Sequence, residues 1–309
     1  MIPQSPIALF CHKNLDKLKI TVECLKNNIG AEHSEIFIFS DGAKNSEELK
    51  QIEIVRDYIK SIKGFKRNHI IESSINLGIS QSIIHGINYV LALHDQVVVI
   101  EEDILTTPYF LSFINESLYL YRNDLNVAAI HGFTPDFNWN LGETYFAIGP
   151  NNSGWGTWQR SWSHFNDSPT YLYNNLLQWD LVSEVNRFYQ TNFITGKLKD
   201  IIDNNVESWD TCWHVSAFLN NMYTLYPGKS LVKHIDEQPF DNKEFDFVTD
   251  PSLCDRKIDI RRIPIEEKYQ TIEAYKNYYF QNNIGCKNKS SSRTNFLREF
   301  FSKLTSSKH

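Results

Sequence analysis

The sequence predicts an α/β fold built on a parallel sheet, and three observations in the first 130 residues carry that expectation. Short apolar runs recur at Ile7–Phe10, Ile36–Phe39, Val97–Ile100 and Val127–Ile130, with a weaker one near Ile70. Runs of this length read as strands buried on both faces. Between them the apolar residues change period, from continuous runs to one every three or four positions. The two patterns alternate strictly, which implies βαβ units joined by right-handed crossovers.

The elements follow in order. Leu15, Leu18, Val22 and Leu25 share one face of a first helix, and Leu49, Ile52, Val55 and Ile59 one face of a second. Ile83, Ile87, Val90 and Leu91 mark a third helix, for which Ser80 is a candidate N-cap. Phe110, Phe113, Ile114 and Leu118 mark a fourth, with Thr107 as its expected N-cap and Pro108 as its first residue. After about residue 132 the regularity breaks. Trp139, Gly142, Gly149-Pro150 and Ser153-Gly154-Trp155-Gly156-Thr157-Trp158 read as aromatic loop. A helical pattern covers about 170–200, and Glu207-Ser208-Trp209-Asp210 opens another through about Asn220. Tyr223–Tyr226 and Leu231–Val232 read as short strands separated by Pro227-Gly228. Residues 236–265 read as irregular, 266–283 as a further helix, and Ser290–Ser292 sets off a basic tail. There is no internal repeat.

A chain of 309 residues with 41% hydrophobic residues is long enough for a substantial core. The net charge of −6 gives no electrostatic reason to expect a nucleic-acid partner. It is unevenly spread: Lys287, Lys289, Arg293, Arg298, Lys303 and Lys308 against Glu299 give residues 287–309 a charge of +5, leaving −11 on the rest. Cys11, Cys24, Cys212, Cys254 and Cys286 are odd in number and form no Cys-x-x-Cys pair, which suits a reducing cytoplasm rather than a disulfide framework. No signal peptide and no run of spanning length is visible, so a cytoplasmic location is expected.

The stretch Val97-Val98-Val99-Ile100-Glu101-Glu102-Asp103 brings three carboxyls to the end of a buried strand. In an open parallel sheet that end is where ligands bind. Crowded carboxyls repel unless a cation or hydrogen-bond donors offset them, and hard cations such as Mg²⁺ or Mn²⁺ complete such shells with substrate phosphates. The alternative is acidic residues favoured by a helix N-terminus. Ser40-Asp41-Gly42 and Asn76-Leu77-Gly78-Ile79-Ser80 follow the second and third strands, each open to ligand contact or to ordinary turn and cap chemistry. No phosphate-loop or Gly-x-Gly-x-x-Gly pattern follows the first strand. Trp155, Trp158 and Trp162 read as sugar-packing rings or as a helical core stripe, and His234 as a second metal ligand or a structural histidine.

Taken together, Pro6-Ile7-Ala8-Leu9-Phe10, Phe39-Ser40-Asp41-Gly42, Asn76-Leu77-Gly78, the Glu101–Asp103 loop, Ser153–Trp158 and Trp209-Asp210 resemble bacterial GT-A-fold sugar transferases related to N-acetylglucosaminyltransferase I. The resemblance spans about residues 5–235. It implies a mixed sheet with a C-terminal helical extension, a Rossmann-like nucleotide-sugar-binding half over 1–130, and an acceptor-binding and catalytic half over 131–286. It implies Asp103 as the ligand of Mn²⁺ or Mg²⁺. Donor contacts fall on Lys13, Asp41, Asn76, Glu101 and Glu102, acceptor contacts on Trp155 and Trp209, and the catalytic base on Asp210. Two positions depart from the usual pattern: Glu102 replaces an Asp, and Lys13 replaces an Arg, whose fork geometry it does not share.

The expected activity is therefore metal-dependent, inverting transfer of a sugar from a nucleotide-sugar, UDP-linked, to a saccharide or lipid-linked saccharide in cell-surface polysaccharide assembly. The alternatives are a nucleotidyltransferase, for which Cys11-His12-Lys13-Asn14 lacks the basic glycine-rich loop, and an inactive glycan- or nucleotide-binding module. In the tail, Phe296, Leu297, Phe300, Phe301 and Leu304 fall on one helical face, which suits an anionic membrane surface or packing on protein.

Overall fold

Alternate residues of the first strands face opposite cores, which is why those runs are apolar throughout. The structure is a computed structural model and describes residues 2–150, 152–204, 206–235 and 250–284. It runs β1 (Ile7–Cys11), α1 (Leu15–Lys26), β2 (Glu35–Ser40), α2 (Ser46–Ser61), β3 (Arg67–Glu72), α3 (Ile79–Leu91) and β4 (Gln96–Glu101). Ile7, Leu9, Ile36, Ile38, Val98 and Ile100 pack against α1 and α2 on one face of the sheet. Ala8, Phe10, Phe37, Phe39, Val97 and Val99 pack against α3 on the other. Each buried Leu, Ile or Phe contributes about 1.5–3 kcal/mol relative to exposure. The Asn14 side chain caps α1 by accepting from Lys17 N, and Asn45 caps α2 by accepting from Glu47 N and Glu48 N.

The second half comprises β5 (Ile104–Thr106), α4 (Phe110–Leu120), β6 (Val127–His131), β7 (Thr144–Ile148), β8 (Trp155–Trp158) and α5 (Gln159–Trp162). After these come α6 (Pro169–Gln178), α7 (Val182–Val185), α8 (Phe193–Asn204), α9 (Trp209–Leu219), β9 (Tyr223–Pro227), β10 (Val232–His234) and α10 (Tyr269–Gln281). Eight strands form one mixed sheet in the order β3-β2-β1-β4-β8-β6-β9-β7. β1, β2, β3 and β4 are parallel, β8 runs antiparallel between β4 and β6, β9 is parallel to β6, and β7 is antiparallel to β9. A second sheet pairs β5 with β10 antiparallel. The register Phe10↔Glu101 and Cys11↔Ser40 aligns the carboxyl ends of β1, β2 and β4 at one edge.

Several expectations are corrected. α4 begins at Phe110, and Ile104–Thr106 is strand, so Thr107 is not a cap; its backbone carbonyl accepts from Phe110 N instead. The N-cap position of α3 is Gly78, not Ser80. Leu49 is exposed while Ile52, Val55 and Ile59 are buried, so the apolar stripe of α2 is one turn shorter than expected. Ile70 lies on the edge strand β3 and is half-exposed, which explains the weak signal there. Trp155–Trp158 is a central strand rather than loop or helix. Gly156 permits it, because an added Cβ would lie 2.7 Å from Ile114 Cγ2 of α4. β7 falls in a region where the sequence pattern indicates no strand. Cys11, Cys24, Cys212 and Cys254 are buried free thiols. Among the described residues no helix is long and apolar enough to cross a membrane. Cys286 and the basic amphipathic tail, 287–309, lie outside the described residues.

Candidate functional site

The carboxyl edge of the sheet collects the acidic loop, the loops after β1, β2 and β3, and the start of α9. Glu101 continues the Val97–Val99 row and so turns toward the face that carries α3 and α9. Its carboxyl is held well above the ordinary value by burial first, then by the charges of Asp103, Asp210 and Glu102. Those interactions place Asp210, distant in sequence, in the same electrostatic cluster as the acidic loop. Glu101 Oε1 is buried without a hydrogen-bond partner in the structure.

Glu102 turns back into the protein. Its Oε2 accepts from His12 N at 2.5 Å, and its carbonyl accepts from Thr21 Oγ1 at 2.7 Å. Burial pushes this carboxyl up to about 7, against the His12 N–H that favours the charged form. The expected donor contact is therefore a clasp that fixes the loop after β1. Asp103 is half-buried at the end of the loop. Burial would raise its carboxyl, but His234 and Lys17 outweigh burial and hold it below the ordinary value. Its Oδ2 lies 3.7 Å from His234 Nδ1 and 4.0 Å from Lys17 Nζ.

Asp41 is not free for a base. Its two oxygens accept from Gly42 N, Asn76 Nδ2, Leu77 N and Gly78 N at 2.8–3.2 Å, which fills the roughly four sites a carboxylate offers. Asn76 Nδ2 also donates to Gly42 O at 2.8 Å. Asp41 and Asn76 thus splint the β2 loop to the β3 loop. At the start of α3 the Ser80 amide is engaged within the protein, because Ser80 N donates to Glu207 Oε2 at 3.3 Å. Lys13 Nζ donates to Glu48 Oε1 at 2.6 Å and stays half-exposed above this edge.

Asp210 occupies the first turn of α9, where Ser208 Oγ donates to its Oδ1 at 2.6 Å. Trp209 stacks on Trp155 with centroids 5.8 Å apart and planes at 21°. Trp155 is fully enclosed and Trp209 is 5% exposed, so neither offers a face to an acceptor. Together they anchor the backbone beneath Asp210. Trp158 and Trp162 are likewise core. One turn along α9, burial first, then Arg187 and Lys197, bring the His214 imidazole down to about 4. It is neutral at neutral pH and is no counter-ion for Asp210. Because the unfolded chain takes up this proton first, stability falls as pH drops from about 6.5 to about 4, by at most about 1.4 kcal/mol per unit. Urea unfolding of His214→Gln at pH 7 and pH 5 should show a shallower pH dependence than the parent; equal slopes would remove His214 from the acid response.

Four residues of the site escape sequence reasoning. Lys17, Arg56 and Glu207 carry no local signature, since each acts across the fold. Arg56 Nη2 donates to Ser73 O at 2.6 Å and its Nε to Ser40 Oγ at 3.2 Å, joining the ends of β2 and β3. Ser153 stands out in the sequence only as part of a motif, yet its Oγ shares a 2.7 Å hydrogen bond with His234 Nε2. Among the described residues no group of three or more His, Cys, Asp or Glu is arranged to hold a metal ion. The pair Asp103 and His234 nevertheless fits a cation of the Mn²⁺ or Mg²⁺ type, which takes few protein ligands and leaves positions for substrate oxygens.

No protein-family model matches the chain, and no curated protein matches it. Among solved structures it is similar in part to mannosyltransferase PcManGT from Pyrobaculum calidifontis, solved with GDP-Man and Mn²⁺, at 12% identity and a TM-score of 0.38. That match covers 55% of this chain and 48% of the other. It is also similar in part to S. aureus TarS 1-349, at 11% identity and a TM-score of 0.41, over 75% of this chain and 60% of that one. A second S. aureus TarS structure matches at 8% identity and a TM-score of 0.41, over 75% of this chain and 37% of the other. The chain spans less than two thirds of each of these proteins, and likeness at this level does not carry function across.

Proposed function

We propose that this chain is a metal-dependent, inverting glycosyltransferase. It moves a hexosyl or N-acetylhexosaminyl group from a nucleotide-sugar, UDP-linked, to a saccharide or lipid-linked saccharide acceptor in cell-surface polysaccharide assembly. The observation that supports this most is the convergence of Asp103 and Asp210 on the buried Glu101 at one edge of the sheet.

Inverting transfer needs one carboxylate to take the acceptor hydroxyl's proton as that oxygen attacks the anomeric carbon from the face opposite the leaving group. Asp210 suits this role, because Ser208 orients it and the Trp155–Trp209 stack fixes its backbone. The bond from the anomeric carbon to the nucleoside diphosphate breaks as the new bond forms. A divalent cation on Asp103 and His234 would supply charge neutralisation for that diphosphate. Glu101, buried beside the charges of Asp103 and Asp210, lines the same edge of the sheet. Glu102, Asp41 and Asn76 shape the loops around the donor, and Lys13 stands free enough to reach a phosphate if it leaves Glu48.

The test is a screen of nucleotide-sugars for hydrolysis with Mn²⁺, with Mg²⁺ and with excess chelator. Release of nucleoside diphosphate and free sugar of inverted configuration, by proton NMR, is expected from one donor. Pyrophosphate release would indicate a nucleotidyltransferase, and binding without turnover an inactive module; either would overturn the proposal. Deleting residues 290–309 should remove the protein from anionic liposomes at low salt while sparing donor hydrolysis. A full chain that ignores such liposomes would leave packing on protein as the tail's role.

A further inference from the structure

Two carboxylates from opposite halves of the chain meet at the amino end of α3. Asp41 reaches it from the loop after β2 and accepts from Leu77 N at 2.9 Å and Gly78 N at 3.1 Å. Glu207 reaches it from the segment before α9 and accepts from Ser80 N at 3.3 Å. The first amides of a helix have no partner inside it, and the positive end of the helix dipole favours acids there. Gly78, at the N-cap position, makes room for the second acid. Its φ is +77°, and a Cβ on it would lie 2.7 Å from Glu207 Oε1 and 2.9 Å from Oε2. A side chain at 78 would be strained in that conformation and would push the Glu207 carboxylate away.

Glu207 stands three residues before Asp210, and the residues between them are pinned. Ser208 Oγ gives its one proton to Asp210 Oδ1 at 2.6 Å, so it accepts from Thr211 Oγ1 at 2.7 Å. Trp209 stacks on Trp155. Trp209, Trp213 and Ala217 of α9 share a core with Ile83, Ile87 and Val90 of α3. Apolar packing presses the two helices together but is non-directional, so by itself it does not fix how far one stands along the other. A hydrogen bond seated in a glycine notch does, because it forms only over a narrow range of distance and direction.

We propose that Glu207 is a positioning residue: its carboxylate docks the start of α9 onto the amino end of α3 and so sets the place of Asp210 relative to the donor-side loops. This rests on the glycosyltransferase reading above, in which Asp210 takes the acceptor's proton. Through Asp41 the same helix end is tied to the loop after β2, so those loops and Asp210 are held as one unit. Without Glu207 the Trp209 stack still anchors the helix, but its first turn loses the tie that fixes it along α3.

The experiment uses the full chain with Mn²⁺, the nucleotide-sugar that the hydrolysis screen selects, and water as acceptor. Glu207→Ala should lower kcat by about 10–100-fold, since a misplacement of about 1 Å carries a loss of that order, with the donor Kd by calorimetry nearly unchanged. Glu207→Gln keeps an oxygen for Ser80 N and should restore most of the rate, whereas the shorter Glu207→Asp should behave like Glu207→Ala. In an Asp210→Asn background Glu207→Ala should cost little more, because both changes act on the same proton transfer. Hydrogen–deuterium exchange tests the dock without turnover. In Glu207→Ala, peptides over 77–82 and 207–213 should exchange faster, while melting shows the variant folded. Wild-type kcat in folded Glu207→Ala, or a loss that adds in full to that of Asp210→Asn, would overturn the positioning role. Unchanged exchange in those peptides would overturn the dock itself. A parent chain that hydrolyses no nucleotide-sugar would overturn the glycosyltransferase reading and the catalytic meaning of the dock with it, leaving exchange to decide the contact alone.

Discussion

Asp210→Asn is expected to lower turnover by about 10²–10⁴-fold, or about 3–5 kcal/mol of transition-state stabilisation, with donor affinity nearly unchanged. The substitution keeps shape and an oxygen able to accept from Ser208 Oγ, so the first turn of α9 should keep its geometry. What it removes is the ability to take a proton. Because the acceptor's proton moves only in the transition state, the loss should fall on kcat rather than on donor binding. Calorimetry with the donor and a turnover assay read the two halves separately. Near-normal turnover would reduce Asp210 to a helix-capping acid in the first turn of α9.

Asp103→Ala should abolish dependence on Mn²⁺ or Mg²⁺ together with most of the activity, on the order of a 10³-fold loss, since a cation at a departing diphosphate contributes several kcal/mol. Asp103 holds a carboxylate whose negative form is favoured by His234 and Lys17. In the variant the Lys17 ammonium remains, so weak donor binding should persist without a metal requirement. Excess chelator should silence the parent chain and leave the variant's residual rate unchanged. Full activity of the parent in chelator would sink the metal half of the proposed function.

How legible the molecule is varies along the chain, and the variation has physical causes. β1, β2 and β4 are buried on both faces between α1, α2 and α3, so their runs are apolar without interruption. The helices between them show a stripe wherever the stripe is covered, and α2 shows how exposure of Leu49 shortens it. β8 is illegible. Trp155-Gly156-Thr157-Trp158 has no run of β-branched residues, and its extended form depends on partners on both sides, β4 and β6. β5 is hidden for the same reason: three residues paired to β10, more than 120 positions away.

The candidate site divides along the same line. The sequence by itself determined the parallel first half, the acidic cluster at the end of β4 and the helix that opens at Trp209-Asp210. These are properties of local pattern: apolar period, strand ends and cap chemistry act over a few residues and are written in consecutive positions. Only the tertiary structure decided what each carboxyl does. Asp41 is spent on the 76–78 loop, Glu102 on His12, and Glu101 is buried within reach of the Asp103 and Asp210 charges, while Asp103 faces His234 and Lys17. A carboxylate's role is set by which donors, charges and how much water surround it. Those neighbours come from segments far apart along the chain, so no local pattern records them.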